Sequence, residues 1–337
     1  MRRKTYLEFL RIAACFLVIV NHTNSSIFLG ISPSPTWFCS VTYFFICKIA
    51  VPLFLFMMGA LLLGREDPPK KTAERVIRIS IVLAAGSFCY YVYFTWRNGT
   101  AFSIWGFLWN LPQASITNSY WYLYLYLALL CLLPILQRLV KALDKRRLEY
   151  LLFLSLGVLG TAPLIPAFEL SPFFAAGLVG PYIGQVLLGY YIERYVPMTK
   201  KVFLLCSSAF VLLIAFQVGG TFLLYQRDPS SYLALDNRTL ITITGSAACF
   251  YVCVKYFFLK YPPHPAIGHG VCRLGALTFG IYLLADMAMV QFEPLYSMLQ
   301  GYMHPLAAVG LWELFLFGVC ALITAGLRLV PALRKWI

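Results

Sequence analysis

The sequence predicts an all-α integral membrane protein with about ten transmembrane helices and both termini in the cytoplasm. Of its 337 residues, 61% are hydrophobic and 12% are charged, which leaves too few polar side chains to coat a soluble domain of this length. Apolar runs of about 20 residues, enough to cross a hydrocarbon core of roughly 30 Å, recur between short polar turns. Lys and Arg are concentrated in alternate turns, as in multi-pass membrane proteins.

The apolar runs follow one another without a long linker or an internal repeat, so residues 1–337 are predicted to form a single domain. The runs do not alternate with the period of two that is typical of barrel strands, and helices then satisfy the backbone groups within lipid. The predicted spans, in order, are 9–30, 38–63, 76–96, 119–137, 148–165, 173–192, 202–225, 239–259, 273–294 and 305–327.

The distribution of Lys and Arg orients the chain and tests the number of spans. When the turns are numbered alternately from a cytoplasmic N-terminus, the inner turns hold 23 of the 27 basic residues and the outer turns hold three, while Lys48 lies within a span. One missed helix would reverse every later turn, so the asymmetry supports ten spans. The net charge of +14 is therefore explained by topology. Membrane lipid is the expected partner, nucleic acid is not, and the sequence names no protein partner.

The ten cysteines are scattered and lie mostly within predicted spans. Their nearest pair, Cys249 and Cys253, has the i,i+4 spacing of a helix and not the spacing of a CxxC motif. We interpret the cysteines as small buried apolar residues, and we expect no metal site.

Polar residues at membrane depth are concentrated in the first span. Its uninterrupted apolar run, Ile12–Val20, has nine residues, which is too short to cross a bilayer, and the polar segment 21–26 follows directly. Those polar side chains must face protein or a water-filled cavity, because lipid offers them no hydrogen bonds. Asn21 and Asn24 are therefore candidates for supporting residues of a site.

Arg11 and His22 are predicted to share one face of the first helix. They are eleven residues apart, which is about 20° past three full turns, with a rise of roughly 17 Å between them. A guanidinium can bind phosphate or carboxylate, and an imidazole can take a proton from an attacking hydroxyl. Glu8, one turn before Arg11, can orient it. The alternative is that Arg11 reaches the interface as a topological charge and His22 is a hydrogen-bonded packing residue.

Three further charged residues, Lys48, Asp286 and Glu313, fall within predicted spans. We expect Lys48 to form an ion pair with one of the two acids and so to fix helix packing, with substrate contact as the alternative. Trp121 opens an aromatic-rich span and is predicted to belong to the interfacial belt, with stacking against a sugar ring as the alternative.

The remaining histidines lie outside the predicted spans. His264 and His269 fall in a Pro- and Gly-rich cytoplasmic turn, and His304 falls in an outer turn. We expect all three to be solvated loop residues. Lys260 and Arg273 could alternatively help the first two to hold a phosphate.

The first span also carries a recognisable signature. The string YLEFLRIAACFLVIVNH (Tyr6–His22) resembles the N-terminal signature of the membrane-bound acyltransferase 3 family, which has Arg-x10-His on its first helix. Four later segments resemble further helices of that family in the same order: Val51–Leu63, Tyr120–Leu136, Tyr182–Ile192 and Leu274–Leu284.

The resemblance implies an O-acyltransferase that moves an acyl group, usually acetyl, from cytoplasmic acyl-CoA to a hydroxyl of a cell-surface or lipid-linked carbohydrate. It implies that His22 is catalytic, most simply as a general base, and that Arg11 serves the donor or organises the site. Acetyl-CoA would be a cosubstrate, with no bound cofactor. The protein would be a multi-pass protein of a bacterial plasma membrane.

Some positions depart from the family pattern. Met58 stands where the family often has Ser before Gly, and Ala285 stands where the late helix often has a second histidine. A mechanism that needs this second histidine would lack its residue here. Tyr282, in the same late segment, is a candidate for substrate contact.

A transporter or flippase of a sugar, polysaccharide or amino acid is the alternative function. Ten helices and intramembrane charges would also suit solute movement. Against this alternative, the sequence shows no internal repeat, which many transporters of this size have.

Overall fold

The computed structural model describes residues 4–23, 27–113, 116–161, 179–229, 233 and 235–336. Within those residues the chain is helical and contains no strand. The α-helices are α1 Thr5–His22, α2 Pro35–Cys47, α3 Ala50–Met58, α4 Pro69–Arg97, α5 Ile104–Asn110, α6 Trp121–Ala142, α7 Lys145–Leu152, α8 Val179–Tyr195, α9 Lys200–Arg227, α10 Ile241–Lys260, α11 Pro265–Gly275, α12 Thr278–Gln291, α13 Glu293–Gln300, α14 Pro305–Leu327 and α15 Pro331–Arg334. Short π-helical turns, Gly59–Leu63 and Phe153–Val158, extend α3 and α7.

Among the described residues, seven helical segments are long and apolar enough to cross a membrane, and α11 with α12 makes an eighth if that bent pair is counted as one span. These eight coincide with eight of the ten predicted spans, so the prediction of an all-α membrane protein is confirmed. The other two predicted spans, 148–165 and 173–192, run into the segment 162–178, which lies outside the described residues. The count of ten and the cytoplasmic termini stay predictions.

Helix α1 lies at the centre of the helix bundle. It contacts α2, α3, α10, α11, α12 and α14. Leu7, Leu10, Ala14 and Val18 recur at helical spacing and are buried against these neighbours. The central position explains why the polar residues of α1 face protein or a cavity.

The second predicted span is broken between α2 and α3. Proline at position 52 has no N–H and cannot donate to the carbonyl of Lys48, four residues earlier. At the same place the backbone N–H groups of Lys48 and Ile49 bond to carbonyls three residues back, at 3.3 and 3.4 Å, and not to carbonyls four residues back as in an α-helix. Lys48, which lies at this break, lines a cavity beside α1.

The sequence predicts a loop around His264 and His269, and this prediction is wrong for residues 265–275, which are helical. Pro265–Gly275 forms α11, which meets α12 at a bend of 53°. Proline is favourable at a helix start because its missing N–H would have no partner there, and the His264 ring accepts a hydrogen bond from the backbone N–H of Ala266. Both histidines are exposed, as expected.

Candidate active site

A cavity of about 570 Å³ runs beside α1, with walls from α3, α4, α6 and α12. Arg11, Val18, Asn21 and His22 line it from α1. Since Arg11 and His22 are separated by roughly 17 Å along the helix, the cavity has an Arg11 end and a His22 end. The structure therefore brings the two residues of the first-helix signature to one cavity.

The His22 ring is available to a substrate. It is partly exposed, lines the cavity, and makes no hydrogen bond with any described residue. The charged groups that act on it electrostatically are Asp286, Arg238 and Lys48. Of the four histidines in the chain, His22 alone lines this cavity. Among the described residues His22 has no hydrogen-bond partner, and its role, catalytic or packing, stays a prediction.

Arg11 is held at the cavity wall by Glu8. Its Nη1 donates to Glu8 Oε2 at 2.8 Å, and the Glu8 side chain is 7% exposed against 29% for Arg11. Glu8 packs against Gly275 of α11, where an added Cβ would lie 2.4 Å from Glu8 Oε2. The contact predicted between Glu8 and Arg11 is thus present, while its functional role stays a prediction.

Six more basic side chains line the cavity; Lys48 and Arg238 are described below, and the other four are Arg78, Arg328, Arg334 and Lys335. Arg78 donates to the carbonyl of Trp336 at 3.4 Å, and Arg328 donates to the carbonyl of Ala276. None of the four forms an ion pair with a described carboxylate. Their charges are therefore available to an anionic ligand.

The prediction that Lys48 pairs with Asp286 or Glu313 is wrong. Lys48 Nζ lies 2.9 Å from Oδ1 of Asp236, and it also lies 4.0 Å from the centre of the Phe44 ring. The reason is that the segment preceding α10 brings Asp236 next to Lys48, while the two predicted acids are held by other donors. Asp236 is 188 residues away in the sequence, so no local pattern indicates the contact.

The two acids are satisfied by uncharged donors instead. Asp286 Oδ2 accepts from the backbone N–H and the hydroxyl of Ser119, at 3.2 and 2.6 Å, and from the hydroxyl of Thr117. Glu313 accepts from the hydroxyls of Thr23 and Tyr43. Both acids fix helix packing, but through hydroxyl groups.

Trp121 and Tyr282 both line the cavity. Tyr282 donates to the Ser119 carbonyl at 2.6 Å and stacks on Tyr120 with ring centres 6.1 Å apart. Trp121 has the guanidinium carbon of Arg238 4.3 Å from its ring centre, and Arg238 also lines the cavity.

The two asparagines that were predicted to support the site differ in what the structure shows. Asn21 lines the cavity, and its Oδ1 accepts a long contact of 3.7 Å from Cys47 Sγ. Asn24 lies outside the described residues.

Comparison with known families decides the class of protein. The family model of acyltransferase 3, described as an acyltransferase domain, matches residues 4–327, which is nearly the whole chain. The chain belongs to the acyltransferase 3 family. Neither the search of curated proteins nor the search of solved structures found a match. Together with its apolar helices, the family makes this protein a multi-pass membrane acyltransferase.

Both departures from the acyltransferase 3 pattern have a place in the structure. Met58 lines the cavity, so the exchange of Ser for Met makes that part of the wall less polar. Ala285 is buried in the core around α12 and does not line the cavity. The position of the second family histidine therefore contributes no side chain to this site.

Sequence reasoning on this acyltransferase missed the basic residues that complete the cavity. The sequence pattern identifies Arg78 and Arg328 only as topological charges, and Arg238 only as an outer residue. One signal was present: Arg238 is one of three basic residues on the predicted outer side, and its rarity there marks it.

Proposed function

We propose that this acyltransferase moves an acyl group, most simply acetyl, from acyl-CoA to a hydroxyl of a cell-surface or lipid-linked carbohydrate, at the plasma membrane of a bacterium. The observation that carries the proposal is the cavity itself. It holds one histidine and seven basic side chains, and the lining residues that the structure describes include no Asp or Glu. Such a lining suits a polyanionic donor.

The donor is assigned to the Arg11 end. Arg11, Arg78, Arg328, Arg334 and Lys335 line the cavity, and CoA carries a pyrophosphate and a further phosphate. Guanidinium groups bind phosphate through paired N–H donors, so five cations can hold this part of the donor while its thioester extends toward His22. The Lys and Arg asymmetry of the sequence predicts that this end faces the cytoplasm, where acyl-CoA is made.

His22 is the proposed general base. Its ring takes the proton of the acceptor hydroxyl as the hydroxyl oxygen attacks the thioester carbonyl carbon. A C–O bond forms, the C–S bond breaks, and the CoA sulfur leaves with the proton that the imidazolium returns. His22 is therefore unchanged after each transfer, and the products are the ester and free CoA.

The test uses the full chain in lipid vesicles with acetyl-CoA labelled in the acetyl group and a host membrane extract as acceptor. We expect wild-type protein to transfer label, and His22→Gln to lower the rate by roughly 10²- to 10⁴-fold, the usual contribution of a general base. His304→Gln is the matched control, because His304 is exposed and lies outside this cavity.

Two results would contradict the proposal. One is label transfer that persists in His22→Gln. The other is flux of a sugar or amino acid across the vesicle membrane without any acyl donor and unaffected by His22→Gln, which would favour the transporter.

A further inference from the structure

The segment that precedes α10 brings a cation to the His22 end of the cavity. Arg238 lines the cavity together with His22 and Trp121, and its guanidinium carbon lies 4.3 Å from the centre of the Trp121 ring. Its side chain forms no ion pair or hydrogen bond with any described residue. The ring holds the guanidinium, and the N–H donors stay available to a ligand.

The backbone that carries Arg238 is fixed from two directions. The Gln185 side-chain amide donates to the Arg238 carbonyl at 3.1 Å, and Gln185 is fully buried. Two residues earlier, Asp236 is held by Lys48 at 2.9 Å. Because the anchors come from α8 and from the break between α2 and α3, both far away in the sequence, Arg238 is positioned by the fold and is not the tip of a free loop.

One of the two cations at this end has no carboxylate partner. Of the two basic residues there, Lys48 is neutralised by Asp236. Asp286 is already occupied by the hydroxyl and N–H donors of Ser119 and by Thr117, and it does not line the cavity. Among the described basic residues at this end, Arg238 is the one that forms no ion pair with a carboxylate, so its N–H donors can bind an anionic group directly.

From this arrangement we propose that the acceptor is an anionic carbohydrate, one with a carboxylate or phosphate that Arg238 binds. A guanidinium offers paired N–H donors that match either group, and a neutral sugar offers only hydroxyls. With the anionic group on Arg238 and the sugar ring against Trp121, a hydroxyl of the same or the adjoining sugar unit faces His22. The inference rests on the proposed function and names the class of its acceptor.

The test measures binding without a donor, in the full chain reconstituted in phosphatidylcholine nanodiscs. Methyl β-D-glucuronide and methyl β-D-glucoside share a ring and differ only in a carboxylate or a hydroxymethyl group, and glucose 1-phosphate supplies a phosphate. Calorimetric titration of wild-type protein should give a Kd for both anionic probes about tenfold or more below that for the glucoside, as expected of a charge-assisted hydrogen bond.

Variants locate the site. Arg238→Gln should abolish the preference for anionic probes. Arg238→Lys keeps the positive charge but loses the paired N–H donors of the guanidinium, so it should retain part of the preference. This variant replaces Arg238→Gln in the test if the Gln variant fails to insert into the membrane. Arg97→Gln is the matched control, because Arg97 is exposed, donates to the carbonyl of Val290 and does not line the cavity. It should leave the preference unchanged.

Three outcomes of the binding measurement overturn the inference: equal affinity of wild-type protein for all three probes, no measurable binding of the anionic probes, or a preference that survives in Arg238→Gln. The last would assign the anion to the basic residues at the Arg11 end. The proposed function fails separately, by the absence of label transfer from acetyl-CoA, since the binding measurement uses no donor. Finding the transferred acyl group on an uncharged glycan would also contradict an anionic acceptor.

Discussion

Replacement of Glu8 by Gln removes the negative charge that holds Arg11 at the cavity wall. The contact is a charge-assisted hydrogen bond of 2.8 Å, and bonds to charged groups contribute about 1.5–3 kcal/mol, or roughly 10- to 140-fold in affinity. Arg11 is 29% exposed, so water replaces part of the lost contact. We therefore expect an effect at the lower end of this range: about a tenfold rise in the KM for the acyl donor, with a smaller change in kcat.

Gly275→Ala tests the same reasoning without touching either charge. The new Cβ would lie 2.4 Å from Glu8 Oε2 and 3.0 Å from Glu8 Cβ, so the carboxylate must move away from Arg11. The donor KM should rise as in Glu8→Gln. Glu66→Gln is the control, because that carboxylate is 82% exposed, pairs with Lys141 and lies outside the cavity.

The assay is label transfer at varied acetyl-CoA, combined with a thermal melt of each variant in detergent. If Glu8→Gln and Gly275→Ala lower the melting temperature and leave the donor KM unchanged, the pair stabilises the packing of α1 on α11, and the assignment of Arg11 to the donor is refuted.

Two further predictions concern stability. In Gly189→Ala the Cβ would lie 2.1 Å from the backbone carbonyl oxygen of Phe56, so α3 and α8 must separate, and we expect a loss of about 1–3 kcal/mol in a thermal melt. Gly310→Ala, with open space around the new Cβ, should melt as wild type, and equal melting of the two variants would contradict this packing. Burial alone would raise the pKa of Asp67, but Lys71 and Arg75 outweigh burial and hold the pKa at about 2, below its unfolded value of 3.8. Asp67 therefore stabilises the fold above about pH 4 and loses this effect as the pH falls through 2. The difference in melting temperature between wild type and Asp67→Asn should shrink over that range, and a difference independent of pH would refute it.

Most of the fold could be predicted from hydropathy and charge, because the bilayer requires each spanning helix to carry its own apolar run and flanking charges. A helix that crosses lipid needs a continuous apolar run, and eight of the ten runs correspond to candidate spans in the described residues. The helix Pro265–Gly275 was missed because proline and glycine usually mark a turn. Proline at the first helical position and glycine at the last are both compatible with a helix, so composition alone does not separate this helix from a turn.

The site was predictable where its residues share one helix. Arg11 and His22 follow from helical geometry, and so does the contact between Glu8 and Arg11. The partner of Lys48 did not follow, because the pairing depends on how a distant segment folds back over the cavity. Charge type indicated that Lys48 needs an acid, and tertiary structure decided that the acid is Asp236.

The distance between the two ends of the cavity bears on how the enzyme would respond to metabolism. On the proposed function, the five cations at the Arg11 end contact the phosphates of the donor, roughly 17 Å from the bond that breaks. Free CoA keeps those phosphates, so the cations bind the product CoA about as firmly as the donor. Binding that is equal for donor, transition state and product lowers the KM without raising kcat. CoA is therefore expected to be a competitive inhibitor with a Ki close to the donor KM. The rate of acylation would then follow the ratio of acyl-CoA to free CoA in the cell.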